Sequence, residues 1–348
     1  NGIKTELTAT HAMAVERYKF PRSISAALWV DFASTFEDVA TCQYKRVSDT
    51  CIEGYVQAKN VCGHGRYKLY FSLNTDQPFQ LEEQKETTAC LTFGKKVRAV
   101  EVRIGLSALS SELASWECAR WEKMDFAELK SQTGNQWEKQ LSAIDVKGGK
   151  KDDKVIFYTS LYRAYLSPAD VSSPDGAYLG TDGKVYISED FRYYSNWSLW
   201  DTFRTKFPLL VLTEPARMRD MATSLIHLYA TGKKDWSTGF ESTPTVRTEH
   251  AVILLLDAYR KGITTLDFRK GYAGMKEEME RLPMRSPDQK MESAYDLWAM
   301  AQIAEIIGEK ADSEQYRQRS VSLFEETWKK EFMNVTPAFE VMKNNGLY

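Results

Sequence analysis

The sequence predicts a β-then-α chain, an antiparallel β-sandwich followed by stacked helices, and three observations carry that prediction. Up to about residue 107 the apolar residues recur with period two, as in half-buried strands. From residue 154 onward they recur at helical spacing. Between these regions the run Gly148-Gly149-Lys150-Lys151-Asp152-Asp153 is polar and flexible, which suits a domain boundary. A length of 348 residues, about twice a common domain size, fits such a division.

In the first part, Tyr67, Leu69, Phe71 and Leu73 alternate with Arg66, Lys68, Tyr70 and Ser72. Val100, Val102, Ile104 and Leu106 alternate with Glu101, Arg103 and Gly105. Turn signals at Val47-Ser48-Asp49-Thr50 and Asn74-Thr75-Asp76-Gln77-Pro78 separate such runs, so an antiparallel sandwich over 1–109 is the economical reading. From 110 to 150, Leu113, Trp116, Trp121, Phe126, Leu129, Trp137 and Leu141 fall on roughly helical spacings among many charges and predict a helical connector.

The third part, 151–348, reads as seven helices. Val155 to Leu166 is apolar nearly all round and predicts a helix buried on several sides. A second helix runs from Ser198, as N-cap, to about Leu212, with Pro208 expected to kink or divide it. Met218, Met221, Leu225 and Leu228 mark a third, ended by Gly232, and Thr248 to Lys261 a fourth, ended by Gly262. Asp267 to Arg281, Met291 to Ile307 before Gly308, and Asp312 to Phe332 complete the set. Short Gly- or Pro-marked turns between them predict stacked helical hairpins, as a solenoid or a closed toroid, and no repeat of 33 to 47 residues supports the solenoid.

Charge and composition narrow the function. With 46 Lys+Arg against 48 Asp+Glu the chain lacks the positive field that binds phosphate backbones, which argues against a nucleic-acid partner. Its mean hydropathy of −0.46 is that of a globular protein, and no apolar run approaches the roughly 18 residues of a membrane span. Nine Trp, 18 Tyr and 16 Phe suit large cores and also sugar-stacking surfaces. The five cysteines, Cys42, Cys51, Cys62, Cys90 and Cys118, include no C-x-x-C, and an odd number speaks against a complete disulfide framework, so they read as small buried hydrophobes. Neither an initiator Met nor a signal-peptide pattern opens the chain at Asn1, so removal of an upstream segment is expected.

No G-x-G-x-x-G, G-x-x-x-x-G-K-[ST], H-E-x-x-H or G-x-S-x-G motif occurs, which argues against dinucleotide, P-loop, zinc-peptidase and serine-hydrolase chemistry. Polar chemistry concentrates in two places. In Tyr193 to Arg204 an aromatic-rich loop runs into a helix start bearing Trp200, Asp201 and Arg204. That arrangement reads either as a cap with Asp201 pairing Arg204, or as a sugar subsite with Trp200 as apolar platform and Asp201 and Arg204 clamping vicinal hydroxyls. The second place is a helix opening with Glu249 and His250 before the apolar Ala251-Val252-Ile253-Leu254-Leu255-Leu256; those polar heads must face solvent or a cleft, or serve as a cap. Asp257, Glu292, Tyr295 and Asp296 form a third group, read as structural.

At Tyr194-Ser195-Asn196-Trp197-Ser198-Leu199-Trp200-Asp201-Thr202-Phe203-Arg204, followed by Phe207-Pro208-Leu209-Leu210, the chain resembles the family 92 glycoside hydrolases, calcium-dependent exo-acting α-mannosidases. Glu6 to Thr10 with Arg17 to Pro21, and Val102 to Ser107, resemble that family's N-terminal domain. Tyr158 to Ala164, His250 to Gly262, and Glu292 to Trp298 with Ala301 to Ala304 resemble its helical domain. The chain departs from the family's pattern at His11 to Glu16 and at Val246 to His250.

The resemblance implies a β-sandwich followed by an (α/α)6 barrel, of whose twelve helices the predicted seven are about half. It further implies removal of terminal α-linked mannose, α-1,2 linkages foremost, from oligosaccharides or N-glycans, with inversion and with calcium as cofactor. Inversion needs a general acid and a general base about 6.5 to 9.5 Å apart. The family's E-G-N, G-N-E-P and G-N-D-D motifs, which carry the acid, the calcium loop and the base, have no counterpart in the chain; its Gly134-Asn135 pair matches none of them. Catalytic and calcium ligands are therefore expected beyond Tyr348, and the chain alone is expected to be inactive. Trp200 and Asp201 carry over as sugar contacts, with Arg204, Glu249 and His250 as further candidate substrate-binding residues. Location outside the cytoplasm, in the periplasm, at the cell surface or secreted, is also implied. The competing expectation is a carbohydrate-binding or scaffold protein of the same fold without hydrolysis. The sequons Asn196-Trp197-Ser198 and Asn334-Val335-Thr336 matter only in a glycosylating host.

Overall fold

A computed structural model describes residues 2–35, 37–60, 62–82, 85–241 and 243–333. Contacts divide the chain into two units, residues 1–198 with 234–247, and residues 199–233 with 248–348.

In the first unit nine strands make two antiparallel sheets. These are β1 (Lys4–Ala9), β2 (Met13–Lys19), β3 (Ala27–Asp31), β4 (Val39–Arg46), β5 (Cys51–Lys59), β6 (Arg66–Thr75), β7 (Phe79–Glu82), β8 (Thr88–Phe93) and β9 (Ala99–Ser107). The larger sheet has the order β1-β2-β9-β6-β5-β4 and the smaller β3-β8-β7. Phe20, Phe32, Ile52, Phe71, Leu73, Phe79, Leu91, Phe93, Val100 and Val102 form the core of the sandwich. The turns foreseen at 47–50 and 74–78 join β4 to β5 and β6 to β7.

One expectation for these strands needs correction. The second half of β6 is not half-buried: Phe71, Ser72 and Leu73 are all buried, so both faces are covered. The opposite face is closed by α1 (Ser111–Arg120), whose Cys118 thiol approaches the Ser72 carbonyl at 3.6 Å. Next comes α2 (Phe126–Leu141), opened by a capping box in which Asp125 and Glu128 satisfy each other's backbone N–H groups. Met13, Val15, Cys118, Phe126 and Leu129 form a second apolar cluster there.

Helix α3 (Lys151–Tyr165) follows Gly148 and Gly149. It is not enclosed as its composition suggests: Leu161 and Tyr165 are buried, but Val155 and Ile156 are 56% and 65% exposed. The helix is held along one stripe, where Tyr158 donates to the Ile144 carbonyl at 3.0 Å and Trp137 meets Tyr162 at 4.5 Å between ring centroids.

The segment after α3, where no helix is predicted, carries four short strands: β10 (Ala169–Asp170), β11 (Ala177–Leu179), β12 (Val185–Ile187) and β13 (Tyr194–Ser195), paired as β10-β13 and β11-β12. Strands of two or three residues are too short to leave a periodic signal in sequence. Tyr178, Phe191 and Tyr193 pack beneath them. Residues 234–247 lie against β6 as a strap, with the Lys68 N–H donating to the Glu241 carbonyl at 2.7 Å and the Asn60 side chain donating to the Thr245 carbonyl at 2.9 Å.

The second unit is helical: α4 (Leu199–Thr202), α5 (Lys206–Thr213), α6 (Pro215–Ala230), α7 (Ala251–Arg260), α8 (Phe268–Met279), α9 (Pro287–Ile306) and α10 (Lys310–Thr327), then a π-helical turn, Trp328–Phe332. α6 packs on α7 and α8, α7 on α9, and α9 on α10, the pattern of stacked helical hairpins. Gly232, Gly262 and Gly308 have φ of 98°, 107° and 84°, the left-handed conformation that ends a helix with no Cβ penalty.

Two boundaries differ from the sequence reading. The predicted break in the helix from 198 falls at 203–205, and Pro208 sits in the first turn of α5, where no N–H is needed. The helix expected from Thr248 begins at Ala251, because His250 adopts φ 68° and ψ 17° and stops helical backbone from running further back. The sequon at Asn334 lies outside the described residues.

Candidate functional site

The chemistry of the second unit gathers where α4, the start of α7 and α9 meet. Leu199 is fully buried and anchors α4, while Trp200 is 36% exposed and Asp201 lies on the surface. Because α4 ends at Thr202, Arg204 does not continue the helical face of Asp201. It turns instead to Glu292 on α9, donating to Oε1 at 3.1 Å, while the Trp200 indole N–H donates to Oε2 at 3.3 Å. One carboxylate thus ties down both the aromatic platform and the guanidinium.

His250 stands behind Glu292. The imidazole is 5% exposed, its Nδ1 lies 3.0 Å from Asp296 Oδ2, and its Nε2 lies 3.7 Å from Glu292 Oε2. Nε2 is buried without a hydrogen-bond partner at normal distance. The Phe203 ring packs against it at 4.7 Å between centroids. Glu292 and Asp296 are four residues apart, so α9 presents both carboxylates on one face.

Burial pushes the His250 imidazole toward its neutral form. The hydrogen bond and charge of Asp296, with the charges of Glu292 and Glu249, outweigh it and hold the His250 pKa above the ordinary imidazole value. Burial raises the Asp296 carboxyl above its ordinary range, opposed by the bond to His250.

Of the sequence-predicted residues, Trp200, Arg204 and His250 converge through Glu292. Asp201 is their exposed neighbour, and Glu249 is half-buried beside His250, ahead of α7 instead of capping its first turn. The sequence pattern makes Glu292 and Asp296 structural, together with Asp257 and Tyr295. The structure separates that group: the half-buried Asp257 pairs with Lys261 at 2.6 Å, and the exposed Tyr295 packs on Trp298. The four-residue spacing of Glu292 and Asp296 was the available signal, but nothing local to α9 indicates which helix end they meet.

The first unit holds a cavity of about 250 Å³, lined mainly by apolar residues including Tyr67, Leu69, Leu106 and Leu113. Its acids are engaged internally, Asp170 with Arg192 at 2.8 Å and Glu117 with Arg120 at 3.3 Å. Such a cavity specifies no ligand chemistry.

Comparison with known proteins decides the family. The model of the glycosyl hydrolase family 92 catalytic domain matches residues 113–291, and that of the family's N-terminal domain matches residues 1–107. The chain belongs to glycosyl hydrolase family 92. Among solved structures it is similar to a family 92 α-mannosidase from Bacteroides thetaiotaomicron, with 25% identity and a TM-score of 0.80 over 92% of this chain and 49% of that one. A family 92 glycosyl hydrolase, ccman5, gives 25% identity and a TM-score of 0.79 over 91% of this chain and 46% of that one. A family 92 inverting mannosidase from Bacteroides thetaiotaomicron VPI-5482, at 22% identity and a TM-score of 0.76 over 93% of this chain and 50% of that one, shares the fold. The chain therefore spans about half the length of the solved relatives it matches. No curated protein matches it.

These relatives bear out the expected architecture, a β-sandwich followed by part of an (α/α)6 barrel. The implied calcium is another matter. Among the described residues no group of three His, Cys, Asp or Glu side chains is disposed to hold a metal ion. Nor is any helix among them long and apolar enough to cross a membrane.

Proposed function

We propose that the protein containing this chain is a glycosidase that removes terminal α-linked mannose, α-1,2 linkages foremost, from oligosaccharides or N-glycans outside the cytoplasm. Trp200 and Asp201 form part of the pocket for the terminal sugar. The observation that carries this reading is the exposed Trp200-Asp201 pair, its indole fixed by Glu292, within the region matched by the family 92 catalytic model.

The chemistry of the pair suits a pyranose. The indole face offers apolar area to the sugar's C–H face, and a carboxylate accepts from two adjacent hydroxyls. Arg204, 57% exposed at its side chain and steadied by Glu292, adds donors for a sugar oxygen. Glu249 and His250 act from behind, through charge. In this reading inversion uses an acid and a base separated by the width of a water molecule, and calcium assists.

The test is release of free mannose from α-1,2-mannobiose by the whole protein, with and without a calcium chelator. Hydrolysis that persists unchanged in chelator rejects the calcium part. Asp201→Ala in the whole protein should lower kcat/KM at least a hundredfold while leaving the melting temperature within about 2 °C. A folded, fully active variant rejects the subsite, and sugar binding without hydrolysis by the wild type favours a binding protein.

A further inference from the structure

The two ring nitrogens of His250 face two different carboxylates. Nδ1 lies 3.0 Å from Asp296 and Nε2 lies 3.7 Å from Glu292. A neutral imidazole has one N–H and one lone pair, so either tautomer would aim a lone pair at a carboxylate. The imidazolium presents a donor to each, and the tilted Phe203 ring at 4.7 Å is a favourable neighbour for a cation. The backbone of His250 is also unusual: φ of 68° is uncommon for a residue with a Cβ, and its side chain makes no cap to α7. Its side-chain contacts are to Asp296, Glu292 and Phe203.

We propose that His250 and Glu292 are a positioning pair for the sugar subsite: the imidazolium, anchored on Asp296, holds the Glu292 carboxylate where it fixes the Trp200 indole and the Arg204 guanidinium. This rests on the reading of Trp200 and Asp201 as sugar contacts, but the linkage itself exists without sugar. Glu292 makes three connections, to Trp200 at 3.3 Å, to Arg204 at 3.1 Å and to His250 at 3.7 Å. Trp200 and Arg204 are exposed while His250 is buried, so the carboxylate passes a buried charge state to a surface platform.

The charged groups around His250 determine the direction of the pH response. From α9 come Glu292 and Asp296, from the second residue before α7 Glu249, from beyond α4 Arg204 through Glu292, and from beyond α6 Lys233, whose charge acts on Asp296 and which pairs with Glu278. Three carboxylates act on His250 directly, against cations that are each paired with a carboxylate. The imidazolium therefore persists to higher pH than that of an ordinary histidine and is lost as pH rises further. Loss of its proton leaves a lone pair or an unfilled contact toward Glu292, and the grip on Trp200 loosens.

The experiment is nuclear magnetic resonance on this chain, reading the side-chain nitrogens of its four histidines and the Trp200 indole N–H across pH, with assignments from His250→Asn and Trp200→Phe. The expected result is a His250 ring protonated on both nitrogens at pH 7, and a Trp200 indole resonance that inflects at the same pH as His250. In Glu292→Gln the Trp200 inflection should vanish and His250 should titrate at lower pH. Glu292→Asp, which keeps the charge, should restore the higher His250 titration, and it stands in for the glutamine variant if that one fails to fold. A neutral His250 at pH 7 overturns the proposal, as does a Trp200 resonance indifferent to His250 in the wild type. Mannose titration of the same samples tests the sugar reading separately, so either can fail alone.

Discussion

Replacing Glu241 by glutamine should stabilise the protein at alkaline pH and leave it nearly unchanged in acid. Glu241 sits on the strap that lies against β6, and its side chain is buried, with the Ser195 hydroxyl donating to Oε2 at 3.1 Å. Burial raises its pKa from the ordinary 4.5 to about 7, the Ser195 bond opposing the rise. A carboxyl whose folded pKa lies above its unfolded one contributes stability in full below the unfolded value. That contribution is lost as pH rises through the folded value. The interval from 4.5 to about 7, at about 1.36 kcal/mol per pH unit, sets an upper bound of about 3 kcal/mol on the cost of ionising Glu241 in the folded state. Glutamine keeps the shape and the acceptor for Ser195 but cannot ionise. Urea unfolding of wild type and Glu241→Gln at about pH 3.5 and pH 8.5 should show a difference near zero at the lower pH, which lies below the unfolded value. At the higher pH the variant should be about 2 to 3 kcal/mol more stable, the difference between proteins cancelling all other titrations. A gap that does not change with pH would refute the reasoning, since it would mean the buried carboxyl titrates as in the unfolded chain.

A pair of glycine substitutions should separate packing from propensity. A Cβ on Gly105 would lie 1.9 Å from the Ala114 carbonyl oxygen, so Gly105→Ala must push α1 off the sheet and should cost about 3 kcal/mol or more in urea unfolding. On α2 a Cβ at Gly134 meets nothing within 4 Å, and Gly134→Ala should stabilise by up to about 1 kcal/mol; equal effects at the two sites would reject the packing argument. Thiol titration under native conditions at pH 7.5 should find Cys62 reacting first, because it is exposed. Cys51 and Cys118 are buried, and burial raises their thiol pKa, that of Cys118 to about 11, so they should react only on unfolding. Equal labelling rates would contradict this burial.

The legible parts of this chain were those carried by local pattern. Alternation in β6 and β9 marked strands, and Met218, Met221, Leu225 and Leu228 marked a helix face buried as expected. The errors lie where a distant partner intervened. Strand β6 gained a second buried face because α1 came to rest on it, and α3 stayed open because only one stripe found a partner. In the segment after α3, strands of two and three residues hold together through Tyr178, Phe191 and Tyr193, a cluster with no period of its own.

The candidate site divides in the same way. Composition and order along the chain determined the strand-rich and helix-rich parts, the aromatic start of α4, the histidine before α7 and the family resemblance. Only the tertiary structure decided that Glu292, 92 residues from Trp200, is the carboxylate that holds it, and that Asp296, 46 residues from His250, sets its charge. Helical spacing shows that two carboxylates share a face, because that depends on the rise and rotation of one backbone. What the face meets depends on how separate helices pack, and that is settled by the burial of apolar residues on their other sides, far along the chain from the charges it brings together.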